Sequence, residues 1–249
     1  MVRGRKNVLV VVAVIAYLAA VVSVVVGDVA TPRPKWTQVQ MKSEAVVITL
    51  GESRVQVVAT FNMYNHGDAA TVKMGYPLGV FEEKLNDFEV TVDERPVKEV
   101  KTQAGSSKPS GPMRYGRGGK SGTEAYRFQG PYKQWKTFDV PMGAKAAKTV
   151  KVSYWVKPAE VFLKPNAPPA LFYSYTLKTG ATWKGAIEKA VITLKLDGVT
   201  ADRIVRCAPN GYQKSADGRT LTWTMKDFKP TADIEVVYGP AKVARAAGQ

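Results

Sequence analysis

The run Val55-Gln56-Val57-Val58-Ala59-Thr60-Phe61-Asn62-Met63 decides the fold class of this chain. Apolar side chains at 55, 57, 59, 61 and 63 alternate with Gln56, Thr60 and Asn62. A period of two puts them all on one face of an extended strand, so this segment reads as a strand with one side in a core. Immediately upstream, Gly51-Glu52 separates it from the apolar run Ala45 to Leu50, which predicts a hairpin.

The same arithmetic recurs outward from this pair. Phe88, Val90 and Val92 share a face and lead into the turn Asp93-Glu94-Arg95-Pro96, with Val97 and Val100 beyond it, which predicts a second hairpin. Val150, Val152, Tyr154 and Val156 alternate with Lys151, Ser153 and Trp155. Ala190, Ile192, Leu194 and Leu196 alternate with Val191, Thr193 and Lys195. After the turn signal Asp217-Gly218, Leu221, Trp223 and Met225 alternate with threonines, and Ile234, Val236 and Tyr238 close the series. No segment after Val26 keeps a 3.6-residue apolar period, so helices are expected to be few and short. Many short strands divided by Gly, Pro and Asn turns predict an all-β chain, an antiparallel, immunoglobulin-like β-sandwich in two lobes. One lobe is expected over 36–157 and the other over 170–239, with a proline-rich connector at 158–169 and a tail at 240–249. Within the first lobe, 101–130 is rich in Gly, Ser and Lys and nearly free of aliphatic residues, which predicts an exposed, mobile insertion.

At the other extreme of hydropathy, Val8 to Val26 carries no charge over nineteen residues and follows Arg3, Arg5 and Lys6. As a helix it is about 28 Å long, close to the roughly 30 Å apolar core of a bilayer. Signal-peptide cores run about 7 to 15 residues, which favours an uncleaved transmembrane anchor, while the small residues Val25-Val26-Gly27 ahead of Asp28 leave cleavage as a secreted protein open. Either way the basic start stays in the cytoplasm and the remainder is exported. Residues 28–35, with Pro32 and Pro34, read as a stiff spacer from the membrane.

The formal charge of the 249-residue chain is +15, of which Arg3, Arg5 and Lys6 contribute +3 and the exported part +12. Such a surplus suits an anionic membrane surface or an acidic envelope polymer; nucleic acid is a poor fit for an exported protein. From Lys101 to Thr137 eight Lys or Arg face a single Glu124, interleaved with aromatic residues. Arg114, Arg117, Lys120, Arg127 and Lys133 are therefore the candidate contacts to an anionic surface, against the plainer reading of a solvated loop. Gly119-Lys120-Ser121 matches the end of a phosphate loop, but Arg114 stands where its first glycine is needed, and neither strand nor helix flanks it. No cofactor, metal set or catalytic residue is expected. His66 lies in the turn sequence Asn65-His66-Gly67-Asp68 without a second metal ligand or a nucleophile to serve. Glu82-Glu83, Asp87 and Asp93-Glu94 cluster in sequence, yet alternate strand residues face opposite ways, so a glycan hydrolase built on two carboxylates stays an alternative with no pair selected. Cys207, the single cysteine, reads as a small buried strand residue, with a reactive thiol as the sharper alternative. A partner role beside another envelope protein is the third reading, and it requires an exposed apolar patch.

From Phe172 the chain reads Phe-Tyr-Ser-Tyr-Thr-Leu-Lys-Thr-Gly-Ala-Thr-Trp-Lys-Gly-Ala-Ile-Glu-Lys-Ala. The spacing of Tyr175, Leu177, Thr179, Gly180, Trp183, Gly185, Ile187 and Ala190 resembles the Y-x-L-x-T-G-x-x-W-x-G-x-I motif of a family of exported bacterial β-sandwich proteins whose domain has no assigned function. Phe61-Asn62 with Asn65 and Gly67, then Gly75-Tyr76-Pro77, Trp135, Phe138 and Val140-Pro141, are similar to that family's pattern in the same order. The resemblance implies an extracytoplasmic all-β fold and supplies no catalytic residues. Independently of it, glycines on both sides of Trp183 suit a strand crossing that the indole plugs, while an aromatic platform for glycans at Trp135 and Trp183 is the functional alternative.

Overall fold

The computed structural model describes residues 24–26, 38–78, 84–104, 134–163 and 168–239. In chain order the strands are β1 (Val24–Val26), β2 (Val39–Leu50), β3 (Val55–Asn65), β4 (Ala70–Leu78), β5 (Asn86–Val92), β6 (Arg95–Pro96), β7 (Lys101–Ala104) and β8 (Gln134–Met142). They continue as β9 (Ala147–Val156), β10 (Ala159–Val161), β11 (Ala170–Tyr175), β12 (Ile187–Leu196), β13 (Ile204–Ala208), β14 (Gln213–Lys214), β15 (Thr220–Phe228) and β16 (Ile234–Tyr238). Helical structure among the described residues is limited to 3-10 turns at Lys178–Thr182 and Ala201–Arg203. The all-β expectation holds.

The predicted hairpins form. β2 and β3 pair antiparallel from Leu50↔Val55 to Val39↔Asn65, and the alternation read from the sequence is the observed burial, with Val55, Val57, Ala59, Phe61 and Met63 all inside. β9 continues the sheet on the other side of β3, and β12 lies beside β2. The resulting eight-stranded sheet runs β14-β15-β12-β2-β3-β9-β5-β6. In register, Glu44, Phe61 and Val150 stand side by side on one face of it. Two four-stranded sheets, β1-β4-β8-β7 and β10-β11-β16-β13, pack on that same face. The first reaches it through Tyr76, whose hydroxyl meets that of Tyr154 at 3.0 Å, and the second through Tyr175, whose hydroxyl donates to Glu44 Oε1 at 3.0 Å. One continuous apolar core joins all three sheets. The opposite face of the large sheet is polar, with Thr60, Lys151, Thr193 and Thr224 on it, as period-two burial requires.

Four features depart from the sequence reading. β12 joins β2 in parallel, Lys189↔Ser43 to Leu196↔Leu50, so strands from both expected lobes share one sheet. Within the proline-rich connector, Ala159–Val161 forms β10 against β11; edge strands tolerate neighbouring prolines because one side of their backbone needs no partner. At the start of the expected insertion, Lys101–Ala104 forms β7 on the edge of β8. The end of the apolar N-terminal stretch, Val24–Val26, is extended and parallel to β4 rather than helical, in keeping with the β preference of a valine run beside an open edge. The rest of that stretch, the 28–35 spacer and the 240–249 tail lie outside the described residues, among which no helix is long and apolar enough to cross a membrane.

Candidate functional site

The second predicted hairpin frames a cleft. Asp93 and Glu94 both take left-handed backbone angles (φ 47° and 67°), the geometry of a two-residue hairpin turn. Asp93 also fastens the turn to β9: its Oδ1 accepts the Thr149 amide at 2.9 Å and its Oδ2 the Lys148 ammonium at 2.6 Å. Beyond Pro96 the chain folds back, the Val97 amide donating to Val90 O at 2.9 Å. It then leaves the large sheet and enters the small one as β7 on β8. Phe138, Val140 and Met142 of β8 belong to the core, so Thr137, Asp139 and Pro141 are carried on its other side. Between that side and the crossing segment Arg95–Lys101 lies a cleft of about 570 Å³.

Charge distinguishes this cleft. Lys73, Arg95, Lys98, Lys101 and Lys148 line it, against Asp93, Glu99 and Asp139. Each carboxylate is already committed to a lysine: Asp93 to Lys148 at 2.6 Å, Glu99 to Lys101 at 2.9 Å and Asp139 to Lys73 at 3.0 Å. Arg95 and Lys98 form no contact ion pair with a carboxylate among the described residues, Arg95 acting on Asp93 only at longer range. The bonds from Lys148 and Thr149 hold the Asp93 carboxyl below its usual range, and the bond to Glu99 raises the Lys101 ammonium. Thr137 lines the same cleft at 1 % exposure, and its Oγ1 has no hydrogen-bond partner. An unpaired buried hydroxyl costs about 1–3 kcal/mol, which makes this atom the unsatisfied donor of the site.

The five cations proposed from sequence, Arg114, Arg117, Lys120, Arg127 and Lys133, lie outside the described residues, as do Glu82 and Glu83. Trp135 is half-buried on β8, opposite Pro77 and Gln103. Trp183 is 2 % exposed and part of the core, so its ring offers no face to a glycan, and the two tryptophans belong to different parts of the chain path. Trp183 ends the 3-10 turn with its amide on Gly180 O at 3.3 Å, and Gly185, at φ 69°, takes the backbone back toward β12. The turn is held from below by Asp233, whose Oδ1 accepts the amides of Leu177 and Lys178, both at 3.0 Å, while Oδ2 pairs with Lys178 Nζ at 2.9 Å.

His66 is half-buried rather than exposed: its Nε2 shares a hydrogen with Gln40 Oε1 at 2.9 Å, and its ring meets Tyr64 edge-on. Desolvation, then Lys184, Lys42 and Lys145, lowers its pKa. The remaining carboxylates of the sequence cluster are dispersed. Asp87, also left-handed at φ 48°, accepts the Trp155 indole N–H at 2.8 Å, and Glu94 is exposed at the hairpin tip. No three His, Cys, Asp or Glu side chains gather as a metal set among the described residues. Cys207 sits half-buried in β13, where burial pushes its thiol up to about 12, far from the reactive range. Phe162 and Val205 are the large apolar side chains exposed among the described residues. Sequence reasoning had the Asp93-Glu94 turn in hand but not Arg95, Lys98 or Thr137 as neighbours, because the β7–β8 pairing that assembles them leaves no local pattern.

Residues 172–237, from β11 to β16 and including the Trp183 motif, match the family described as a domain of unknown function, DUF4424. No curated protein matches the chain. Among solved structures the chain is similar to a candidate nutrient binding protein from Legionella pneumophila, with a TM-score of 0.59 and 16% identity, covering 80% of this chain and 66% of that one. This chain thus spans just under two thirds of that protein's length. It also matches an M1 zinc metallopeptidase from Deinococcus radiodurans (TM-score 0.37, 11% identity, 82% of this chain, 43% of that one) and yeast LTA4 hydrolase (0.43, 8%, 80% and 28%). The Legionella likeness is one of fold; the two hydrolase likenesses are too loose to carry an argument.

Proposed function

We propose that this chain is an exported, non-catalytic binding module that holds an anionic partner at the cell envelope, the occupant being the headgroup layer of an anionic membrane. The observation that carries this reading is the cation surplus of the cleft. Its three carboxylates are each neutralised by a lysine, and Arg95 and Lys98 remain for a ligand. The exported charge of +12 and the five insertion cations Arg114, Arg117, Lys120, Arg127 and Lys133 point the same way. An apolar N-terminal stretch retained in the bilayer holds the module beside such a surface. The Legionella neighbour is described as a binding protein too, which is compatible with a role of this kind. The hydrolase alternative is less well supported, because a general acid needs a carboxyl pKa raised toward the working pH, and Asp93 is shifted the other way.

The test is co-sedimentation of the full chain with vesicles of phosphatidylglycerol and of phosphatidylcholine. The reading expects retention on the anionic vesicles only, weakened about tenfold by Arg95→Gln with Lys98→Gln and weakened further when the five insertion cations are neutralised, with all differences shrinking at about 1 M salt. Equal retention on both vesicles, or no change in the variants, refutes it. Preferential capture by an acidic wall polymer instead of vesicles refutes the choice of occupant.

A further inference from the structure

The geometry points to a phosphate group, held as a tetrahedral oxyanion, as the ligand of the cleft. This inference rests on the binding reading above and names its ligand class. Two observations carry it. Arg95 and Lys98 are the cleft cations without a carboxylate in contact, and they differ in kind: a planar fork of N–H donors and a compact point charge. Thr137, at 1 % exposure, lines the same cleft with an Oγ1 that lacks any partner, and a buried hydroxyl in that state is a donor awaiting an acceptor. A planar carboxylate is used up by the arginine fork. A phosphate keeps oxygens for the ammonium and the hydroxyl after the fork is satisfied.

Access to Thr137 has a defined route. Lys101 stands opposite Thr137 in the β7–β8 register, so the two share a face of the small sheet. Its bond to Glu99 is an exposed one, with side chains 59% and 76% accessible, and exposed pairs of this kind are weak. An incoming phosphate draws the ammonium of Lys101, the cross-strand neighbour of Thr137, away from Glu99. The volume of about 570 Å³ leaves room for the group to which the phosphate is esterified.

The chemistry is shared by a lipid headgroup and by a soluble phosphoester, and two arms of one experiment separate them. Calorimetry of the full chain with glycerol phosphate, inorganic phosphate, sulfate and acetate reads the soluble arm; vesicles of phosphatidylglycerol read the lipid arm. The expected result is phosphate binding at about 1 mM or tighter, no competition from acetate, and losses of about tenfold in Thr137→Val and about fivefold in Arg95→Lys. Urea unfolding of both variants guards against misfolding, and Thr137→Val is expected to unfold no earlier than the parent because it removes an unsatisfied hydroxyl. Glycerol phosphate bound by the parent with vesicle retention indifferent to Thr137→Val assigns a soluble ligand; loss of both assigns the headgroup. Absence of phosphate binding, displacement by acetate, or an unchanged affinity in Thr137→Val overturns the inference. If salt-sensitive vesicle retention persists in that case, the binding reading survives and the phosphate assignment alone falls.

Discussion

Replacing Asp233 with alanine tests how the Trp183 motif is held. In the folded chain one carboxylate oxygen accepts two consecutive backbone amides, Leu177 and Lys178, and the other pairs with the Lys178 ammonium, Asp233 being 12% exposed and Lys178 35%. Hydrogen bonds to a charged acceptor contribute about 1.5–3 kcal/mol each, and a half-exposed ion pair at most about 1. The losses overlap because all three end on one side chain, so Asp233→Ala should cost about 3–5 kcal/mol, a large part of the roughly 5–15 kcal/mol that stabilises a typical domain. Asp233→Asn keeps the amide acceptor and drops the charge, and should cost about 1–2 kcal/mol. Equilibrium urea denaturation followed by tryptophan fluorescence measures both, the midpoint moving with little change of slope. If alanine costs less than about 1 kcal/mol, or if asparagine costs as much as alanine, the paired amide bonds are not what holds the turn.

Trp183→Ala should destabilise the fold by about 3–5 kcal/mol in the same assay, since it empties a site of 2 % exposure; a loss below about 1 kcal/mol means the indole does not fill the core. Asp93 has a folded-state carboxyl held below its ordinary 3.8, so its stabilising contribution is complete above that value and is lost as pH falls through the lower folded value. The stability gap between the parent and Asp93→Asn should therefore close on acidification below about pH 4, and a gap independent of pH sinks that assignment. With its thiol pushed up to about 12, Cys207 should react with a disulfide reagent at pH 8 about a thousandfold more slowly in the native chain than in urea; equal rates would mean the thiol is open.

Strand alternation carried most of the fold into the sequence. β3, β9, β12 and β15 bury the residues their period of two selects, because a sheet with one solvent face imposes that pattern on every strand it contains. The turn Asp93-Glu94-Arg95-Pro96 was legible as a polar, proline-ended break between apolar runs, whereas the left-handed angles of Asp93 and Glu94 were not. What was not legible depends on partners remote in sequence. Lys189 meets Ser43, Lys101 meets Thr137, and Asp233 meets Leu177, and none of these pairings alters the composition around either member. The cleft shares that origin. Arg95 and Lys98 read as hairpin and loop polarity, Thr137 as one threonine of a strand, and it took the crossing from the large sheet to the small one to make them neighbours. The denser basic signal, from Arg114 to Lys133, is a property of composition, whereas the cleft is a property of topology.

The parallel contact between β2 and β12 also sets an order of events in synthesis. β2 emerges early and finds β3 within a few residues, but its other edge stays open until residues 187–196 have been made, since the strand that covers it begins at Ile187. Until then the edge of β2 from Ser43 to Leu50, the eight residues that β12 later pairs, is available to any other extended chain, the circumstance in which nascent β proteins are captured by chaperones or by one another. A chain cut short before Ile187 carries that vulnerability permanently, so its fate should be self-association, visible by light scattering, and not a smaller stable domain.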